Sequence, residues 1–241
     1  MRTLIVADIH ANHDALCALP DADVILCAGD LVTFGVEPNE CIDWLDSRRA
    51  VCVRGEEDDA VGHGTPHDLP SHIAHAGFAS RAWTRAILTP NRASWLAALP
   101  PEVEVTIDRR RIAIVHAYPG DYNRYLMPTD EELERITRAY PRADIIVTSH
   151  THRQGVWRHR DKVVINPGSV GQHSVPGVVA YALYECGNIT FGAQRYDVGT
   201  PIAKIRASGL PVDVQDVCIG ELVHGNVRPD RRLPVLHSIP A

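Results

Sequence analysis

The six cysteines of this 241-residue chain, Cys17, Cys27, Cys41, Cys52, Cys186 and Cys218, include no C-x-x-C pair. That removes the usual signature of a zinc ribbon or a dithiol redox site and leaves thiols suited to a reducing cytosol, with Cys27 and Cys52 inside apolar runs. The chain also lacks a basic excess. A formal charge of −6 gives no strong nucleic-acid signal, because neutralising phosphates needs clustered Lys and Arg. An acidic protein can still act on phosphates when metal ions supply the positive charge. Missing as well is a basic segment followed by an apolar one at the start, since Asp8 interrupts the first hydrophobic run. No stretch approaches the length needed to span a bilayer. These absences predict a cytoplasmic protein with no membrane partner.

What is present is the profile of a globular protein, with 45% hydrophobic and 22% charged residues and enough chain for one large domain. Residues 3–7 are apolar on both parities, as in a strand buried on both faces. A short helix closed by Pro20, a strand over residues 23–28, a helix over 38–47 and a strand over 50–53 complete a βαβαβ opening. Residues 59–101 break that rhythm. Gly62, Gly64, Pro66 and Pro70 predict a loop, and residues 78–88 and 92–99 predict helices, so this stretch is expected to be a lid inserted over the site in a single domain spanning 1–241. His63, His67, His72 and His75 crowd it. A second metal site there is conceivable, but the Gly/Pro-rich setting favours solvated or substrate-facing imidazoles.

A hairpin follows around Asp108-Arg109-Arg110, and Thr129 with Glu132 forms a capping box for a helix over 130–140. A buried strand over 144–148 and a run of β-ribbons to residue 195 come next, with one weak helix around 202–207 and a surface tail at the end. Strands following βα units predict an α/β fold of two mixed sheets face to face with helices outside. Trp44, Trp83 and Trp95, at helical positions, are expected in the core.

Four apolar runs stop on metal-type ligands. The first reaches Asp8 and His10, the second Gly29-Asp30, a third His116 and a fourth Ser149-His150-Thr151-His152. Arg54-Gly55-Glu56-Glu57-Asp58 adds an acidic cluster at another strand end. Any one of these residues reads as readily as a turn former or cap, but the ordered set points to a shared site. Oxygen and nitrogen donors without thiolate suit two borderline divalent ions such as Mn²⁺, Fe²⁺ or Zn²⁺. A bridging carboxylate would hold them about 3.5 to 4 Å apart, the spacing that clamps both oxygens of an in-line phosphoester displacement.

The order Asp8-x-His10, Gly29-Asp30, Gly55-x-x-Asp58, His116 and Ser149-His150-Thr151-His152 resembles the calcineurin-like metallophosphoesterase family. Asn166-Pro167-Gly168-Ser169-Val170-Gly171 is similar to its YfcE-like small phosphodiesterase branch. The resemblance implies a four-layer α/β/β/α sandwich and a dimetal phosphoesterase, a phosphodiesterase or phosphatase, with a metal-bridging water as nucleophile. It implies that Asp8, His10 and His152 bind one ion, that Asp30 bridges, and that Glu56, His116 and His150 bind the other, with Mn²⁺ the expected metal. Asn12 would lie close to the phosphate of a small phosphoester substrate, and a homo-oligomer stays open.

Two positions depart from the family. Glu56 stands where relatives carry a neutral asparagine, which lowers the formal charge of a loaded site from about +2 to about +1. Glu57 stands where many carry a histidine that touches phosphate and protonates the leaving group, a role a carboxylate fills only with a raised pKa. The Leu31-Val32 that follows Asp30 lacks the phosphate-gripping arginine of protein phosphatases and bis-nucleoside tetraphosphatases, which favours other small diesters or monoesters. The competing expectation is a scaffold on the same fold, weakened at Glu56 and Glu57 and acting through protein interaction.

Overall fold

A computed structural model describes residues 1–225 and the backbone of Ser238–Pro240. The opening βαβαβ runs β1 (Thr3–Val6), α1 (His13–Cys17), β2 (Val24–Cys27), α2 (Pro38–Ser47) and β3 (Val51–Cys52). Next come α3 (Glu56–His63), α4 (Ala74–Ile87), α5 (Pro90–Ala97), β4 (Glu102–Ile107), β5 (Arg110–Val115), α6 (Asp130–Ala139) and β6 (Ile145–Val147). The remainder is β7 (Gln154–His159), β8 (Lys162–Pro167), β9 (Val178–Glu185), β10 (Asn188–Arg195), α7 (Gly199–Ala207), α8 (Val212–His224) and β11 (Ser238–Pro240).

The strands form two mixed sheets, ordered β11-β10-β9-β1-β2-β3 and β4-β5-β6-β8-β7. β1, β2 and β3 run parallel, as do β5, β6 and β8, so their C-terminal ends open on the same side of each sheet. The two sheets face each other across an apolar layer in which Ile5, Leu26 and Ala182 meet Ile112, Ile114, Val147 and Ile165. The opposite parity of β1, Leu4 and Val6, packs outward against Leu16 of α1 and Ile42 and Leu45 of α2. Val115, Ile146 and Val164 likewise pack against Leu133 and Ile136 of α6. The result is the expected four-layer α/β/β/α sandwich, and burial on both faces is why Leu4, Ile5 and Val6 of β1 are all apolar. β4 is an edge strand whose Glu102, Glu104 and Thr106 point to solvent, a pattern that discourages pairing with another chain.

Three readings change. The acidic run after β3 opens a helix, α3, that continues through Gly62, a residue expected in a loop, and its first turn sets Glu56, Glu57, Asp58 and Asp59 at the positive end of the helix dipole. α8 was not foreseen, and its Val214, Cys218 and Leu222 pack on Phe34, Ala76, Ile205 and Leu210. The tryptophans line the rim of the core and are only half-buried. Cys27, Cys41, Cys52 and Cys218 are buried thiols, whereas Cys17 and Cys186 are exposed. Most of the terminal tail lies outside the described residues, while Ser238–Pro240 pairs antiparallel with β10.

Candidate metal centre

Asp8, His10 and Asp30 follow the ends of β1 and β2, while His116, His150 and His152 follow β5 and β6. After β1, β2 and β6 the chain turns in the left-handed region: φ is 52° at Asp8, 48° at His10, 55° at Asp30, 65° at His150 and 59° at His152. Such conformations cost of order 1–3 kcal/mol each and persist where the surroundings dictate them. Here they are clamped by hydrogen bonds from Asp8 N to the Gly29 carbonyl (2.9 Å), His10 N to the Asp30 carbonyl (3.0 Å) and Ser149 N to the His116 carbonyl (2.7 Å).

Two groups of ligand atoms result. Asp8, His10 and His152 form one, and Asp30, Glu56, His116 and His150 the other, each with its donor atoms within 4.8 Å of one another. His10 Nε2 and His152 Nε2 are 3.1 Å apart, and His152 Nε2 is 3.7 Å from Asp8 Oδ1. Glu56 spans its group, with Oε2 2.6 Å from His116 Nε2 and Oε1 2.8 Å from His150 Nδ1. Asp30 Oδ2 stands between the groups, 3.8 Å from His10 Nε2 and 3.5 Å from His116 Nε2.

The surrounding hydrogen bonds suit cations. His116 Nδ1 lies 2.7 Å from the Ala28 carbonyl oxygen, which can only accept, so Nδ1 carries a proton and Nε2 is the nitrogen aimed at the carboxylates. His152 Nδ1 meets the Gln172 carbonyl in the same way at 3.1 Å. A lone pair facing buried carboxylates is repulsive unless a proton or metal ion lies between them, and Asp30 Oδ2, buried, has no hydrogen-bond partner. Burial works against charge on His116, yet Asp30 and Glu56 raise its pKa well above the usual imidazole range. This donor set of carboxylate oxygens and imidazole nitrogens fits divalent ions.

The end of β8 and the loop after it brace the site. Asn166 Nδ2 donates to the Ser149 carbonyl at 2.9 Å, and Ser169 Oγ donates to the Asp8 carbonyl at 2.8 Å. Beneath Asp30, Asp58 accepts from Leu31 N (2.9 Å) and Gly55 N (2.9 Å), and burial pushes its carboxyl up to about 7 against those bonds.

Asn12 and Glu57 sit beside the two groups but are otherwise engaged. Asn12 caps α1 by accepting from Ala15 N at 3.1 Å, and its amide donates to the Tyr196 hydroxyl (2.9 Å) and the Gly171 carbonyl (3.3 Å). Both carboxylate oxygens of Glu57 accept from Arg81 of α4. Arg81 carried no signal in the sequence, and neither did Tyr125, whose ring stacks on His150 at 4.4 Å. A cavity of about 400 Å³ opens beside His10, Glu56 and His150, bounded by Phe34, Leu69 and Tyr125. In the insertion, His63 and His67 both meet Asp59, at 3.1 and 2.8 Å, and His75 meets Asp213. His72 lines the cavity. No further cluster of metal-type donors is found among the described residues.

Residues 1–188 match the calcineurin-like phosphoesterase superfamily domain, and the chain belongs to that family. An uncharacterized protein of Methanocaldococcus jannaschii is 26% identical over 235 residues, covering 86% of this chain and 93% of that protein. Among solved structures, a metallophosphoesterase from Sphaerobacter thermophilus superposes with a TM-score of 0.74 at 23% identity, covering 92% of this chain and 99% of that one. A hypothetical protein from Pyrococcus horikoshii gives 0.76 at 18% identity, with coverages of 90% and 97%. These likenesses show the shared fold. Among the described residues, no helix is long and apolar enough to cross a membrane.

Proposed function

We propose that this protein is a dimetal phosphoester hydrolase of the cytoplasm acting on a small phosphodiester, or on a monoester with a good leaving group. The observation that carries the reading is the position of Asp30 Oδ2 between the two ligand groups, 3.8 Å from His10 and 3.5 Å from His116. In this reading Asp8, His10 and His152 hold one ion, Glu56, His116 and His150 the other, and Asp30 is shared. Mn²⁺ is the expected occupant, with Fe²⁺ and Zn²⁺ as alternatives, because imidazole ligands suit the softer divalent ions. Bound there, two divalent ions supply positive charge to the phosphate and a water acidic enough to attack phosphorus near neutral pH.

The chain's own residues fix the rest. The Ala28 and Gln172 carbonyls set the tautomers of His116 and His152, so that each presents Nε2. Asn12 and Glu57, already engaged by Tyr196 and Arg81, brace the site; neither is given the phosphate-binding or proton-donating part that the family suggests for its position. Residues 59–101, the expected lid, wall the cavity with Leu69 and His72. Ser80 Oγ accepts from Phe34 N at 2.6 Å, and Arg85 Nε donates to the Val61 carbonyl at 3.2 Å. The test is hydrolysis of an aryl phosphodiester by purified protein with Mn²⁺ or Mg²⁺. Faster turnover with Mn²⁺, lost on chelation, is expected, and full activity after chelator treatment would overturn the reading.

A further inference from the structure

Two carboxylates, Glu56 and Glu57, stand where the resemblance implies an asparagine and, in many relatives, a histidine, and the fold treats them differently. Glu56 faces His116 and His150. Glu57 turns the other way and is gripped by a side chain 24 residues on, with Arg81 Nε 2.9 Å from Oε2 and Nη2 2.7 Å from Oε1. The remaining terminal nitrogen, Nη1, donates to the His67 carbonyl at 2.8 Å. Both residues are buried, at 1% exposure for Glu57 and 6% for Arg81, so little water screens the pair. The backbone N–H of Glu57 donates to Asp30 Oδ1 at 3.0 Å, which turns the other oxygen of Asp30 toward the histidines.

On the dimetal reading above, we propose that Arg81 is a positioning residue that acts on the metal centre through Glu57: it cancels the charge of Glu57, whose backbone N–H bonds Asp30. The insertion then does more than wall the cavity, because it sets the charge that the centre presents to ions and to phosphate. A carboxylate at position 57 is tolerated because a fork-shaped cation answers it from α4. Glu57 alone would take the loaded site from about +1 to about zero, weakening its hold on any phosphate. A bidentate guanidinium–carboxylate pair also fixes direction as well as charge.

The pair can be opened from its carboxylate side without ambiguity, since an arginine stays protonated at any working pH. Glu57→Gln leaves an uncompensated guanidinium beside the ions. The expected result is Mn²⁺ affinity, read by calorimetry on the full chain, at least about tenfold weaker, and inorganic phosphate bound more tightly to the Mn²⁺-loaded protein. The double variant Glu57→Gln/Arg81→Met removes both charges, and both affinities should return to within about threefold of the wild type. Replacing both partners of a buried pair is far better tolerated than removing one. A double variant that binds Mn²⁺ as poorly as Glu57→Gln, or a Glu57→Gln protein with unchanged affinities, would overturn the charge-setting role. Wild-type protein that takes up no Mn²⁺ would instead remove the dimetal reading and this inference with it.

Discussion

His116 Nε2 lies 2.6 Å from Glu56 Oε2 while the other nitrogen of the same ring is held by the Ala28 carbonyl. In the metal-free protein this arrangement keeps a second proton on His116. Burial opposes that charge, but Asp30 and Glu56 outweigh it and raise the pKa well above the usual range. Stability from such a group is fully present below its unfolded pKa, about 6.5, and is lost as pH rises through the folded value. Asp58, pushed up to about 7 by burial, loses stability in the same sense between about 3.9 and 7. The lowered pKa of Glu56 contributes throughout this window and does not reverse the trend. The Tm of chelator-treated protein should therefore fall as pH is raised from about 6 into the alkaline range, and Mn²⁺ binding should release protons. Thermal melts across pH check the first and calorimetry in buffers of different ionisation enthalpy the second; a Tm that rises over this window would contradict the assignment.

Asp30→Asn removes the charge shared by both groups. Turnover of an aryl diester should fall by more than about a hundredfold, beyond what loss of a supporting residue costs. The fold should survive, because Asp30 lies past the end of β2 and outside the layer between the sheets. A circular dichroism melt distinguishes the two effects, and an Asp30→Asn protein that keeps a tenth or more of the rate, a loss no larger than roughly that of a supporting residue, argues against the shared position.

Glu56→Asn tests the family departure directly. If Glu56 is a ligand, the substitution raises the formal charge of the loaded site, and substrates gain in proportion to their own charge. The kcat/KM ratio of an aryl monoester to an aryl diester should increase at saturating Mn²⁺. A flat or reduced ratio would remove Glu56 from the ligand set, and loss of one ion with the substitution would show that Glu56 is what holds it.

A β-carbon at Gly171 would sit 1.9 Å from the Ile9 carbonyl oxygen. The loop after β8 is therefore pressed against the turn that carries Asp8 and His10. Gly171→Ala should cost about 1–3 kcal/mol of stability and weaken Mn²⁺ uptake, since relief requires that turn to move. Denaturant melts with and without Mn²⁺ measure both; full stability with unchanged uptake would show that the contact constrains nothing.

The sandwich could be read from residues because each layer leaves a local trace. Leu4 and Val6 are apolar for the helices, Ile5 and Ala7 for the facing sheet, and the strand-end ligands interrupt those runs where the sheet opens. α8 left a misleading trace: Val212-Asp213-Val214-Gln215 alternates like a strand, and only packing of Val214, Cys218 and Leu222 on Ile205 and Phe34 makes it helical. The helix opened by Glu56 to Asp59 was not foreseen, because Gly62 and Gly64 signal a loop just beyond, although a helix N-terminus is where four acids are best placed. The partner of Glu57 was invisible, because nothing near residue 57 announces an arginine 24 positions away. Asn12, expected close to the phosphate, also caps α1 through its bond from Ala15 N, a cap not foreseen in the sequence.

Seven side chains are expected to form two adjoining ion sites that share Asp30. Anomalous diffraction from crystals equilibrated with Mn²⁺ measures it most directly. The account predicts two peaks about 3.5 to 4 Å apart, one against Asp8, His10 and His152 and one against Glu56, His116 and His150, with Asp30 touching both. A single peak at saturating Mn²⁺, or two peaks with Asp30 in contact with only one, would contradict it.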